Sequence, residues 1–206
     1  MLVLGTHSLR GEACTSAVDA ALRAGYRRID TASAYRNERN VGAAIAASGL
    51  ERAQLYLTTK VGPRDIAKGR AGVIAAVRAS LAALRTDYLD CVLMHWPGAA
   101  GFPPADTAHI ALREAAWAAL HDMRRAEVIR EVGASNFLVP HLAHVHQPAV
   151  APVQVVQLEL HPWCQQREIV AWATNHGARL EAYGLFGAGV VLNRCRTLLA
   201  ALRSPC

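Results

Sequence analysis

The stretch LYLTTKVGPRDIAKGRAGVIAAVRASLAALRTDYLDCVLMH, residues 55–95, contains one complete strand–helix–strand unit. Its two ends, Leu55 to Lys60 and Leu89 to His95, are short apolar runs that each finish on a polar side chain. Between them, apolar residues recur at helical spacing from about Ala71 to Leu84. Two short strands that are joined through a helix run parallel, so this unit predicts a parallel sheet with helices on its outer face.

The same alternation continues on both sides of this unit. The further strand candidates are Leu2 to Gly5, a strand closed by Ile29 and Asp30, Ile129 to Ser135, Val153 to Leu158 and Leu180 to Tyr183. The further helix candidates are Thr15 to Ala24, Asn37 to Ser48, Leu112 to Arg125, a short helix after Pro140, Gln166 to His176 and Val190 to Leu202. Seven such units predict an α/β barrel of the TIM (β/α)8 type, with residues 1–206 forming a single domain.

The length of the chain is short for that architecture. A closed barrel has eight strands and about 250 residues, whereas this chain has 206 residues and offers seven strand candidates. We therefore expect an incomplete barrel in which the eighth strand is missing and the C-terminus is truncated.

Composition and charge argue against a membrane protein and against a nucleic-acid-binding protein. The chain starts without a basic leader and has no apolar run of the roughly 18 residues that span a bilayer, so we expect a cytosolic protein with no membrane partner. The net charge of +6 comes mostly from arginines that are spread along the chain without a block. Because no nucleic-acid-reading motif accompanies the charge, nucleic-acid binding is only a distant alternative.

Polar side chains stand where the predicted strands end, and in an α/β barrel that edge carries the catalytic and binding residues. They are Asp30, Lys60, His95, Ser135, Asn136, Gln157, Glu159 and Tyr183. Taken singly, each has an ordinary explanation, since an aspartate after a strand caps a helix and a histidine after apolar residues packs in a core. Taken together, they predict one polar site at the barrel mouth.

A tyrosine in the loop after the second strand adds chemistry to this site. Tyr35 follows Asp30 by five residues. In a closed site Asp30 pairs with Lys60, and the positive charge of Lys60 favours ionisation of a nearby phenol. A tyrosine beside Lys60 and His95 is suited to donate a proton to a carbonyl oxygen as hydride reaches the carbon.

Five sequence blocks resemble the aldo-keto reductase family, in the expected order and over Leu2 to about Tyr183. They are GYRRIDTASAYRNERNVG at 25–42, TTK at 58–60, DYLDCVLMHWP at 87–97, GASNF at 133–137 and QLELHP at 157–162. The resemblance implies reduction of aldehydes or ketones by NADPH, with NAD as the alternative cofactor. That family binds its dinucleotide without a Rossmann domain, and no strand here is followed by G-x-G-x-x-G.

The resemblance also implies roles for individual residues. It assigns a catalytic tetrad in which Tyr35 is the general acid, Lys60 lowers the pKa of Tyr35, Asp30 holds Lys60 and His95 orients the substrate carbonyl. Trp96 would line an apolar substrate pocket beside His95. The residues implied for cofactor binding are Ser135, Asn136 and Gln157 at the nicotinamide carboxamide, and Tyr183 stacked under the ring.

The chain departs from the family pattern after Tyr183, where Gly184, Leu185 and Phe186 replace the usual Ser-Pro-Leu turn. The segment that binds the adenosine 2′-phosphate has no counterpart before Cys206. A second hypothesis therefore stays open, in which the chain is a catalytically inactive barrel that acts as a binding or regulatory module, or a non-functional remnant. We expect a monomer, or pairing with another chain if the barrel edge is open.

Three nearby histidines, His141, His144 and His146, suggest a metal site. Their spacing does not place all three on one helical face, and no carboxylate completes a ligand set. We therefore expect no metal cofactor.

Overall fold

The structure, a computed structural model, describes residues 2–187. The strands are β1 (Leu4–Gly5), β2 (Arg28–Asp30), β3 (Tyr56–Val61), β4 (Leu89–Met94), β5 (Ile129–Ser135), β6 (Val155–Glu159) and β7 (Arg179–Tyr183). The α-helices are α1 (Gly11–Arg23), α2 (Glu38–Ala47), α3 (Pro63–Ile66), α4 (Gly69–Leu84), α5 (Ala108–Arg125), α6 (Val139–Val145) and α7 (Arg167–Asn175). The predicted helix from Val190 to Leu202, and the question of an eighth strand, lie outside the described residues.

The seven strands form one parallel sheet in which each strand pairs with the next in chain order. The sheet curls into a nearly closed barrel with one unsealed seam, where β1 and β7 lie without pairing among the described residues. A cavity of about 660 Å³ opens at this seam, with Leu2 and Val3 on one side and Leu185 and Phe186 on the other. The predicted incomplete TIM-type barrel is thus confirmed for this part of the chain.

Apolar spacing explains how the helices cover the barrel. Helix α1 buries Cys14, Val18, Ala21 and Leu22, which stand at positions i, i+4, i+7 and i+8 and so share one face. Strand β4 is buried along its whole length, as expected of a central parallel strand covered on both faces.

Several predicted boundaries shift. Helix α1 begins at Gly11 rather than Thr15, because Glu12 in its first turn interacts favourably with the helix N-terminus. Helix α3 was not predicted, and it starts where Pro63 occupies the first helical turn. Within residues 2–187, no helix is long and apolar enough to cross a membrane.

The strand register aligns side chains inside the barrel. Alternate residues of a strand point to the same face, so residues paired in register lie side by side on that face. Ser135 of β5 pairs with Gln157 of β6, and Gln157 pairs with Glu181 of β7. These three residues therefore occupy one rung of the interior.

Candidate active site

A buried lysine forms the centre of the site. Lys60, near the end of β3, is 2% exposed. Its ammonium donates to Oδ1 of Asp30, to the carbonyl of Thr31 at 3.0 Å and to the phenol oxygen of Tyr35 at 3.4 Å. The three donors of the ammonium thus have three acceptors, and the charge of Asp30 compensates the burial of a cation.

The loop that carries Tyr35 is held by a buried amide. Tyr35 ends the 3-10 turn Ser33–Tyr35, and the Ser33 hydroxyl donates to the carbonyl of Lys60 at 3.0 Å. Asn37 is fully buried; its Nδ2 donates to two carbonyls before α1 at 2.8 and 3.1 Å, and its Oδ1 accepts from Thr31 at 2.9 Å. The sequence predicts Asn37 only as the start of a helix, so this role was not predicted.

The pKa of Tyr35 lies above its ordinary value. Burial raises this pKa most, the positive charge of Lys60 lowers it, and the negative charge of Asp30 raises it. The charge of Lys60 therefore shifts the pKa of Tyr35 in the direction expected from the sequence, but the opposite effect of burial is larger. The phenol is protonated at neutral pH, as a proton donor must be.

His95 follows β4 directly and lies beside the phenol. Its ring centroid is 5.6 Å from that of Tyr35, edge to face, and the Trp96 ring lies near-parallel to the imidazole at 6.5 Å. Burial, with the charge of Lys60, lowers the pKa of His95 to about 4. The imidazole is therefore neutral at physiological pH and carries one N–H donor. His7, which the sequence analysis did not single out, also packs against Tyr35, at 5.0 Å between ring centroids.

Asn136 links two further side chains, Ser135 and Tyr183, to the main chain of His95. The Tyr183 hydroxyl donates to Oδ1 of Asn136 at 2.6 Å. The Nδ2 of Asn136 donates to the carbonyl of His95 at 2.9 Å and to the hydroxyl of Ser135 at 3.1 Å. Asn136 has φ of 61°, a left-handed conformation that asparagine tolerates better than most residues.

Gln157 links this set to the lysine centre. Its Nε2 donates to Oδ2 of Asp30 at 2.8 Å and to Oε2 of Glu181 at 3.2 Å. The residues predicted for the site therefore lie in one continuous chain of contacts at the barrel mouth: Asp30, Tyr35, Lys60, His95, Trp96, Ser135, Asn136, Gln157 and Tyr183.

A charged network lies directly below this site and was not predicted. Arg179 makes a bidentate ion pair with Glu131, at 2.8 and 2.7 Å, and Tyr56 hydrogen-bonds the same carboxylate. Arg28 and Arg179 each lie 3.3 Å from Glu181. The sequence does contain a signal for this network. Arg28 lies two positions before Asp30, and Arg179 lies two positions before Glu181. A spacing of two places both residues of a pair on one face of a strand.

The three histidines considered as metal ligands have separate partners. Nδ1 of His141 accepts from the backbone N–H of Leu138 at 3.2 Å, and Nδ1 of His146 accepts from that of Val153 at 3.2 Å. His144 lies 3.2 Å from a carboxylate oxygen of Glu114. Over residues 2–187, no three or more His, Cys, Asp or Glu side chains are grouped to hold a metal ion.

Comparison with known proteins identifies relatives that match most of this chain. The sequence profile described as the aldo/keto reductase family matches residues 1–201. Methylglyoxal reductase DkgB of Escherichia coli O157:H7 is 39% identical over 194 residues, covering 92% of this chain and 67% of the relative. Glyoxal reductase of Bacillus subtilis is 38% identical over 183 residues, covering 89% of this chain and 62% of the relative.

Solved structures agree with the sequence relatives. The crystal structure of an aldo/keto reductase from Brucella melitensis superposes with a TM-score of 0.80 at 34% identity, covering 90% of this chain and 68% of that one. An aldo-keto reductase from a deep-sea metagenome library superposes with a TM-score of 0.81 at 30% identity, covering 93% and 66%. This chain thus spans about two thirds of the length of the proteins that it matches.

Proposed function

The chain belongs to the aldo/keto reductase family, and from that premise we propose that it reduces aldehydes or ketones to alcohols with NADPH. The observation that carries the proposal is the contact of Lys60 with both Asp30 and Tyr35 in a buried site. The names of the relatives indicate glyoxal and methylglyoxal as the first substrates to test.

The side chains at the mouth fit a nicotinamide carboxamide. The Nε2 of Gln157 is committed to two carboxylates, which leaves its Oε1 as an acceptor for an N–H group. The Ser135 hydroxyl accepts from Asn136 and keeps its own proton for a carbonyl oxygen. The adjoining ring of Tyr183, 38% exposed, offers an aromatic face for a flat heterocycle.

In this proposal the chain's own residues orient the substrate and supply the proton. NADPH, when bound, supplies the hydride that the carbonyl carbon accepts. The neutral His95 imidazole donates a hydrogen bond to the carbonyl oxygen, and Tyr35 transfers its phenolic proton to that oxygen as the alcohol forms. The adjacent Lys60 ammonium stabilises the resulting tyrosinate until solvent returns the proton. Trp96, half exposed beside His95, provides the apolar wall of the substrate pocket.

The experiment compares Tyr35→Phe with the unaltered chain in two assays. NADPH binding is followed by quenching of tryptophan fluorescence, and methylglyoxal reduction by loss of NADPH absorbance. We expect turnover to fall by about 10²- to 10⁴-fold, the range for a general acid, while NADPH affinity stays nearly unchanged. Tyr26→Phe, in the loop between α1 and β2 and outside the site, is the matched control. Unchanged turnover in Tyr35→Phe would remove this tyrosine from the mechanism.

A second function is favoured by the unsealed seam. The cavity between β1 and β7 reaches Asp30 and Gln157, so the site is open on one side. A chain with this opening is suited to act as a non-catalytic binding module in which the strand edges left unpaired within residues 2–187 pair with a partner. A folded chain that binds neither NADPH nor NADH in the same titration would favour this second function over reduction.

A further inference from the structure

We propose that Glu181 is a positioning residue that fixes the side-chain amide of Gln157, so that Gln157 presents only its oxygen to the cofactor's carboxamide. This inference rests on the proposed function, because it concerns the cofactor that the site would bind. In this proposal the charged network below the site holds the amide of Gln157 in place.

The strand register places the two residues side by side. Gln157 pairs with Glu181 across β6 and β7, and both side chains point into the barrel. The Nε2 of Gln157 lies 3.2 Å from Oε2 of Glu181 and 2.8 Å from Oδ2 of Asp30. Gln157 is 6% exposed, so solvent does not compete strongly for these contacts.

Two carboxylates facing one amide determine its orientation. Each hydrogen of the Nε2 group meets a carboxylate oxygen in the observed orientation. The flipped orientation would set the amide oxygen against the same two oxygens, which only accept hydrogen bonds, so both contacts would become repulsive. Asp30 alone would hold one N–H, and Glu181 holds the second.

The two oxygens of Glu181 have separate partners. Oε1 receives Arg28 and Arg179, each at 3.3 Å. Oε2 is thereby left to Gln157. The side chain of Glu181 is 11% exposed, and the two guanidinium groups compensate its buried charge. The arginines thus hold Glu181 with its second oxygen aimed at the amide.

When its amide is held in this way, Gln157 can only accept a hydrogen bond, through Oε1, from a ligand in the site. It favours a ligand that brings an N–H, such as a carboxamide, over one that brings a methyl group in the same place. The probe pair is NADPH and its 3-acetylpyridine analogue, in which a methyl group replaces the carboxamide nitrogen.

The experiment measures the affinity of both probes for Glu181→Gln. We expect the affinity for NADPH to fall about 3- to 10-fold, the effect of one hydrogen bond, while the affinity for the acetylpyridine analogue changes little. Glu131→Gln is the matched control, since Glu131 belongs to the same network but contacts Arg179 and Tyr56 rather than Gln157. Equal losses for the two probes, or the same selectivity change in Glu131→Gln, would overturn the proposal.

A second measurement does not depend on cofactor binding. The side-chain amide resonances of Gln157 in the cofactor-free chain should shift, and their hydrogen exchange should accelerate, in Glu181→Gln but not in Glu131→Gln. Unchanged resonances in Glu181→Gln refute the positioning role. If the unaltered chain binds neither probe, the proposed reductase function fails, while these resonances still decide whether Glu181 positions Gln157. Should Glu181→Gln not fold, Glu181→Asp, which shortens the carboxylate by one methylene, is measured in the same way.

Discussion

Replacing Asp30 with asparagine would remove the counter-charge of a buried ammonium while keeping the shape of the side chain. The side chain of Lys60 is 1% exposed and that of Asp30 is 12% exposed. In Asp30→Asn, Lys60 keeps the carbonyl of Thr31 and the phenol of Tyr35 as acceptors, but both are neutral. The cation must then stay buried without a compensating charge or lose its proton.

The expected loss of stability is large for one substitution. Removing one partner of a buried ion pair costs about 3–5 kcal/mol. For a chain of this size, each kcal/mol lowers the melting temperature by about 2–4 °C, so the melting temperature should fall by roughly 6–20 °C. The double variant Asp30→Asn, Lys60→Met removes both charges and should recover part of the loss, because no unpaired charge remains.

Urea unfolding measures the free energy of unfolding of the unaltered chain, Asp30→Asn and the double variant. Asp19→Asn is the matched control. Asp19 also pairs with a basic residue, Arg23, but their side chains are 43% and 80% exposed. Its loss should cost no more than about 0.5 kcal/mol. An Asp30→Asn chain that is as stable as the Asp19→Asn control would refute the argument that burial makes the Lys60 pair costly to break.

Two further predictions concern the core. Burial lowers the pKa of His121 to about 4, below its ordinary value of 6.5. Between these two pH values the unfolded chain therefore binds more protons than the folded chain. The free energy of unfolding should decline as the pH falls through this window. His121→Leu should reduce that decline in urea midpoints measured at about pH 7 and about pH 4.5, and an identical decline in both chains would contradict the assignment. A methyl group added at Gly133 would clash with the carbonyl oxygen of Val155 and meet the side chains of Leu93 and Val155, each at 2.7 Å, so Gly133→Ala should cost about 1–3 kcal/mol in the same assay. Gly62→Ala, where the nearest atom is 3.8 Å away, should cost less, and equal losses would count against tight packing at Gly133.

Much of the fold could be predicted because it depends on local patterns. The interval from Ile129 to Ser135 was predicted to the residue, because it falls between two helix candidates, at a strand position of the strand–helix alternation. Helix α5 begins four residues before the predicted Leu112. The prediction missed this first turn because none of its residues is buried, so it adds nothing to the apolar face of the helix. The candidate site could be predicted because parallel strands bring their carboxyl ends to one mouth.

The sequence by itself determined the strand–helix alternation and which polar side chains stand at the strand ends, because both follow from the spacing of apolar residues along the chain. Only the tertiary structure decided which of these side chains touch. That Gln157 lies between Asp30 and Glu181 depends on barrel curvature and strand register, which join residues 127 and 24 positions apart. The raised pKa of Tyr35 likewise depends on burial, a property of the packed barrel that no local pattern contains.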